Sequence, residues 1–198
     1  MDKRLELKFY VSNEDFYKIK YEFNLRKIHE DRIINSIYYD TDKLKFYNEG
    51  EEGIVPRIKP RIRYYNTDEN NLNFEIKKTY NYFRSKYVIK GNKNKNSFVK
   101  FLNNFNLESN LNPKVKISYK RSYFKSDLGR ITLDKGLKFF LFTSKGMNIK
   151  KINYLNVNIL EIKNSNINLK NEILYKIKIK DEKISKYNLS LNSFSKFI

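Results

Sequence analysis

Residues 56–65 read Pro-Arg-Ile-Lys-Pro-Arg-Ile-Arg-Tyr-Tyr, which places Arg57, Lys59, Arg61 and Arg63 at every second position. In a strand, alternate side chains leave on opposite faces. The segment therefore predicts a strand with four cations on one face and Ile58, Pro60, Ile62 and Tyr64 on the other. A dry core cannot accept unpaired cations, so one face must pack while the other meets water or a polyanion. A lone strand of this kind reads as the solvated outer face of an ordinary sheet. Its meaning depends on whether other strands repeat the pattern.

Other strands do repeat it. Residues 4–11 set Arg4, Glu6 and Lys8 against Leu5, Leu7 and Phe9, and residues 72–79 set Glu75 and Lys77 against Phe74 and Ile76. Residues 114–125 carry Tyr119, Arg121 and Tyr123 on one parity. Residues 130–134 set Arg130, Thr132 and Asp134 against Ile131 and Leu133, and residues 156–163 set Glu161 and Lys163 against Leu160 and Ile162. Further strands are expected at 33–41 and from Arg84 to about residue 89, and another at 137–142 beyond a turn or bulge at Gly136. Residues 42–55 read as a short helical turn or loop. Helices are predicted from a Ser12 or Asn13 cap to about residue 27, with His29 at a surface helix end, and at 97–107 and 169–179. Residues 185–187 fall in a short tail element. No tandem repeat or linker divides the chain, so one domain over residues 1–198 is expected.

The charge balance agrees with a polyanionic partner. Lys and Arg number 41 against 22 Asp and Glu, a net charge of +19. Lysine is abundant in this Asn-, Lys- and Ile-rich chain, but there are only nine arginines, and six of them (Arg4, Arg57, Arg61, Arg63, Arg121 and Arg130) lie on the charged strand faces. Arginine is the residue of choice where a planar fork must grip phosphate or carboxylate. The absence of cysteine and the single histidine exclude thiolate and multi-histidine metal centres. No signal peptide or membrane-spanning apolar run is visible, so a cytoplasmic protein is expected. RNA binding is allowed by charge alone, but acids interleave with the cations and stacking platforms are missing, so no nucleic acid is expected. On pattern alone two architectures stay open. One is an open sheet or sandwich with its charged faces outward. The other is a barrel with a polar lumen and helices over its apolar wall.

The ordered set of motifs resembles the catalytic domain of the vacuolar transporter chaperone (VTC) polyphosphate polymerases, a branch of the triphosphate tunnel metalloenzymes. The resemblance rests on Arg4-x-Glu6-x-Lys8-Phe9, Ser36-Ile-Tyr-Tyr-Asp-Thr41, Tyr47 with Arg57-x-Lys59-x-Arg61-x-Arg63-Tyr, and Phe74-Glu-Ile-Lys77. It continues through Tyr119-x-Arg121, Arg130-Ile-Thr-Leu-Asp134, Leu160-Glu-Ile-Lys163 and Ser185-Lys-Tyr187. It implies an α+β fold: a closed antiparallel β-barrel forming a tunnel with a polar lumen and helices packed outside. It further implies that Lys8, Arg61, Arg63, Lys77, Arg121, Arg130 and Lys186 contact phosphates, with Arg57, Lys59 and Arg84 as additional candidates. Glu161 would hold Mg²⁺ or Mn²⁺, with Glu6 and Glu75 as helpers.

The hydrolase branch of that superfamily opens with Glu-x-Glu-x-Lys, and Arg4 stands here in place of the first acid. That departure favours transfer over two-metal hydrolysis. The implied function is ATP-dependent polyphosphate synthesis, with ATP and polyphosphate or tripolyphosphate as partners and a membrane protein as a candidate export partner at the inner face of the membrane. A tripolyphosphatase or nucleoside triphosphatase and a non-catalytic polyphosphate-binding module are the alternatives. Other roles remain for several residues: Glu6 and Glu75 as neutralisers of neighbouring cations, Asp134 as a strand-end pairing or turn residue, Lys59 as a solvated residue at the tunnel mouth, and Tyr38 and Tyr39 as wall packing.

Overall fold

A computed structural model describes residues 5–80, 84–107, 110–143, 151–153 and 157–195. Arg4 and the first residue of the strand expected at 156–163 lie outside this set. In chain order the elements are β1 (Leu5–Val11), α1 (Asn13–Glu22), β2 (Arg26–Asp40), α2 (Lys45–Glu51), β3 (Arg57–Tyr65), β4 (Leu72–Thr79) and β5 (Arg84–Gly91). They continue with α3 (Lys95–Asn103), β6 (Asn112–Ser126), β7 (Gly129–Leu141), β8 (Lys151–Asn153), β9 (Asn158–Asn164), α4 (Lys170–Ile177) and α5 (Lys186–Asn192). Eight strands are hydrogen-bonded in the order β1-β9-β7-β6-β2-β3-β4-β5, with β8 paired to β7. The registered pairs β1–β9, β9–β7, β2–β3, β3–β4 and β4–β5 are all antiparallel. The fold is α+β, as expected. Among the described residues no hydrogen-bonded pairing joins β1 to β5, so the sheet is not closed into a barrel by hydrogen bonds. The amide of Glu182 instead donates to the carbonyl of Lys8 in β1 (2.8 Å).

The residues gather into two compact units whose boundaries include positions inside β2, β6, β7 and β8. The first holds residues 1–32, 119–137 and 153–185. Its core joins Leu5, Leu7, Phe9 and Val11 of β1 to Leu160 and Ile162 of β9 and to Ile131 and Leu133 of β7. Phe16 and Ile19 of α1 and Ile173 and Ile177 of α4 pack into the same core. Fully burying one such side chain is worth about 1.5–3 kcal/mol. The alternation in the sequence thus becomes a sheet with an apolar face under helices and a polar face on the other side.

Helix α1 starts as expected, with a capping box between Ser12 and Asp15. It ends earlier than the expected residue 27. Asn24 turns left-handed (φ 46°), and the Leu25 amide reaches back to the Lys20 carbonyl (3.0 Å). The chain then enters β2 seven residues before the expected strand. Residues 26–32 carried no alternating signal because nearly all of them are exposed. His29 therefore lies in a strand rather than at a helix end, edge-on to Tyr123 at 5.8 Å.

The second unit holds residues 33–118, 138–152 and 186–198. In it, Phe74 and Ile76 of β4 pack with Phe46 of α2, with Phe98, Phe101 and Leu102 of α3, and with Leu111. Ile58, Ile62 and Tyr39 flank this cluster. Residues 45–51, read as a short helical turn or loop, form α2.

The β6–β7 turn in the first unit depends on one glycine. Gly129 has φ +104°, and a Cβ there would stand 2.4 Å from the Lys163 carbonyl oxygen. Gly129→Ala is expected to cost more than about 1 kcal/mol, measured as a lowered urea midpoint. An unchanged midpoint would contradict this close approach of backbone to backbone.

Candidate functional site

The polar face of the first unit is built by register. Lys8 of β1 lies opposite Glu161 of β9, which lies opposite Thr132 of β7; one step along, Glu6, Lys163 and Arg130 form the next row. Arg121 of β6 holds Asp134 with a two-pronged grip, Nε to Oδ1 at 2.6 Å and Nη2 to Oδ2 at 2.7 Å. Its Nη2 also approaches Glu161 Oε2 (3.7 Å). Lys163 Nζ stands 3.1 Å from Glu161 Oε1. Lys8 Nζ donates to the Ile184 carbonyl (2.8 Å) and lies 3.5 Å from Glu6 Oε1. Burial would raise the Glu161 carboxyl, but Lys163, Lys8, a hydrogen bond with Glu6 and Arg121 outweigh it and hold the group well below the usual carboxylate range. Arg130 is exposed.

In the second unit the cationic strand β3 sits between β2 and β4. Arg61 pairs with Tyr38 and Glu75, Arg63 with Ser36 and Asn73, and Lys59 with Lys77. Lys77 in turn lies opposite Lys86 of β5, and Thr79 lies between Arg57 and the exposed Arg84. Arg61 sends Nε (2.7 Å) and Nη2 (2.6 Å) to Glu75 Oε2, and Nη1 to the Tyr38 hydroxyl (2.8 Å). Arg63 donates to Ser36 Oγ (3.1 Å) and lies 3.8 Å from Glu75. Lys86 reaches the other Glu75 oxygen at 3.2 Å. Burial would raise Glu75, but Arg61, Arg63 and Lys86 bring it down to about 2. Tyr38 is lowered too: the charges of Arg61 and Arg63 and the Arg61 hydrogen bond overcome its burial, with a further contribution from Lys186.

Two polar residues fix the C-terminal helix to this face. Asp40, wholly buried, accepts from the amides of Thr41 (2.7 Å), Phe46 (3.0 Å) and Tyr47 (3.0 Å) and from the Tyr187 hydroxyl (2.6 Å). Tyr187 stacks on Tyr38, with ring centroids 5.1 Å apart, and burial followed by the Asp40 carboxylate pushes its hydroxyl far up. Asn188 accepts from Lys59 Nζ (2.9 Å) and donates to the Tyr47 carbonyl and to Glu51 (2.6 Å). Its approach needs Gly50, where a Cβ would stand 2.7 Å from Asn188 Nδ2. Lys186 opens α5 beside these groups.

Several expectations change with this geometry. Tyr38 is not wall packing with Tyr39; the two have opposite parity, and only Tyr39 joins the apolar cluster, against Phe98 at 4.6 Å. Asp134 is not at a strand end but inside β7, paired with Arg121. Glu75 spends both oxygens on cations, which suits neutralisation rather than metal binding. Lys59 is partly buried against Asn188 rather than solvated. Among the described residues no cluster of three His, Cys, Asp or Glu is arranged for a metal. Glu161 has Lys163 at one oxygen (3.1 Å) and Arg121 farther from the other (3.7 Å), and with its neighbour Glu6 it is the remaining pair of carboxylates of the kind that hard divalent cations accept. Lys86, Asp40 and Asn188 escaped the sequence reading. Lys86 shares the parity of Arg84 and could have been found by that alternation, whereas the roles of Asp40 and Asn188 depend on contacts distant in sequence.

Because Glu75 titrates lower folded than unfolded, its contribution is complete above about pH 4.5 and is lost as pH falls toward about 2. The interaction is worth on the order of 3 kcal/mol at neutral pH. Glu75→Gln should lower the urea midpoint at pH 7, and the gap from the parent should narrow on acidification through that window. A gap that stays constant with pH would contradict the charge network.

A family model of the VTC domain matches residues 3–95 and 84–198. Comparison with curated proteins finds no match. Among solved structures, the chain is similar to a candidate adenylate cyclase of Bacillus halodurans (TM-score 0.61, 15% identity, covering 100% of this chain and 98% of that one). It is also similar to a Pyrococcus horikoshii protein (TM-score 0.57, 16% identity, covering 98% and 99%). A third likeness is to a Hippeastrum candidate adenylyl cyclase with a dominant triphosphatase activity (TM-score 0.56, 9% identity, covering 98% and 96%). At such identities the likeness is one of fold. The family match, by contrast, runs through all the strands that carry the two polar faces, and the chain belongs to the VTC domain family.

Proposed function

We propose that this protein is an ATP-dependent polyphosphate polymerase whose polar sheet faces bind phosphates. The observation that carries the reading is the row Lys59, Lys77 and Lys86, three lysines directly opposite one another across β3, β4 and β5. Like charges in register destabilise a sheet; Glu75 offsets Lys86, and a polyanion laid along the row would offset the repulsion further. Phosphate chains supply one negative charge or more per unit with no base to recognise. That matches a face whose aromatic rings, Tyr38 and Tyr187, are buried and occupied with each other.

In the proposed reaction a terminal oxygen of the polyphosphate chain attacks the γ-phosphorus of ATP. The bond from that phosphorus to the β–γ bridging oxygen breaks, and ADP leaves with the electron pair. The protein's work is positioning and charge stabilisation. Arg61, Arg63, Lys77 and Lys186, with Arg57, Lys59 and Arg84, would hold phosphates. Lys8, Arg121 and Arg130 would serve the same end in the first unit. Glu161, with Glu6, would hold Mg²⁺ or Mn²⁺, which when bound neutralises charge on the transferred phosphoryl group. Arg121 and Lys163 keep Glu161 ionised for that task. Among the described residues no helix is long and apolar enough to cross a membrane. Synthesis would take place in the cytoplasm, where ATP is supplied, and any export would fall to a membrane partner.

Incubating the protein with ATP and Mn²⁺, with and without a pyrophosphate primer, and sizing the product on a gel tests the reading. Long polymer is expected; release of phosphate alone would make the protein a triphosphatase, and tight polyphosphate binding without turnover would make it a binding module. Arg130→Ala, at an exposed position, should lower turnover at least about a hundredfold with an unchanged melting temperature. Full activity in Arg130→Ala would remove that residue from the site.

A further inference from the structure

We propose that the Thr132 hydroxyl is a further oxygen ligand of the divalent-cation site at Glu161 and Glu6; this rests on the metal reading above. Thr132 lies directly opposite Glu161 in the β7–β9 register. Its chain neighbours Ile131 and Leu133 pack into the apolar core, so Thr132 shares the opposite, polar face with Arg130 and Asp134. It is 5% exposed, and its Oγ1 has no hydrogen-bond partner. A buried hydroxyl without a partner is destabilising, and such groups in folded proteins point to an ion, a water or a catalytic role.

Its neighbours do not explain it. Asp134 spends both oxygens on Arg121, and Glu161 faces Lys163 and Arg121. These cations hold the carboxylates in place. The orphan hydroxyl beside them adds a neutral oxygen. Hard cations such as Mn²⁺ and Mg²⁺ take neutral oxygens together with carboxylates, and a threonine or serine hydroxyl on Mg²⁺ is an established arrangement in nucleotide-binding loops. A valine would fill the same volume as Thr132 with no donor or acceptor, so a purely packing role predicts that it is tolerated.

The test measures Mn²⁺ affinity of the full chain by the loss of the free-ion electron paramagnetic resonance signal, with and without tripolyphosphate. Parent, Thr132→Val, Thr132→Ser and Glu161→Gln are compared, and each is melted without metal. Thr132→Val is expected to bind Mn²⁺ about tenfold more weakly, with a melting temperature equal to the parent's or higher. Thr132→Ser should restore parent affinity. Should Thr132→Val not fold, Thr132→Ala carries the same comparison. Parent-like Mn²⁺ affinity in Thr132→Val, with binding lost in Glu161→Gln, would overturn the Thr132 assignment and leave the metal reading standing. Parent-like affinity in Glu161→Gln, or no Mn²⁺ binding by the parent, would overturn the metal reading itself.

Discussion

Each polar sheet face is held together by a buried carboxylate gripped by an arginine. Glu75 and Asp134 are 1% and 0% exposed. Each is gripped by Nε and Nη2 of an arginine on a neighbouring strand, Arg61 and Arg121 respectively. Without such acids the cationic strands would crowd like charges into a partly desolvated surface. With them, each guanidinium is held in one orientation in the folded protein. Side-chain entropy is thereby lost on folding rather than on binding, which is the advantage of a preorganised site. The arrangement differs in what it leaves over. Arg61 has a further donor on the Tyr38 hydroxyl, whereas Arg121 leans toward Glu161.

The same logic extends to the C-terminal helix. Helix α5 has only seven residues and would be unstable alone. It is fastened by Asp40, whose carboxylate caps the chain entering α2 and accepts from Tyr187, and by Asn188, which links Lys59 to Glu51. Lys186 is thus delivered by a side-chain network rather than by backbone pairing. Tyr187 stacked on Tyr38 connects that network to Arg61, so positioning of the helix and orientation of the arginine are physically coupled.

How much of this was legible in the sequence follows from which interactions are periodic. Strand alternation is local, so the cationic row of β3 and the mixed faces of β1, β4, β7 and β9 could be read directly, as could the capping box at Ser12. Where periodicity was absent the reading faltered. Residues 26–32 are exposed, so β2 began without a signal, and Asn24 ended α1 through a backbone conformation that composition does not announce. Parity also limits what alternation can tell. It separated Tyr38 from Tyr39 only once the register with β3 was known. Pairings that join distant segments, such as Asp40 with Tyr187 or Lys59 with Asn188, have no local trace at all.

The two faces also differ in charge, and the difference bears on their chemistry. In the second unit the described residues of β3, β4 and β5 set Arg57, Lys59, Arg61, Arg63, Lys77, Arg84 and Lys86 on one face with Glu75, and Asp40 of β2 shares the parity of Tyr38 on that face. In the first, Lys8, Arg121, Arg130 and Lys163 share theirs with Glu6, Asp134 and Glu161. A face with two acids among seven cations attracts polyanions by charge alone. A face of four cations and three acids does so much less, because its acids offset most of the attraction of its cations. Such a face becomes more favourable to anions when another positive charge joins it. Divalent cations bring that charge and need the carboxylates that would otherwise be a liability. The first face thus carries three acids among four cations, a far larger share of acid than the second.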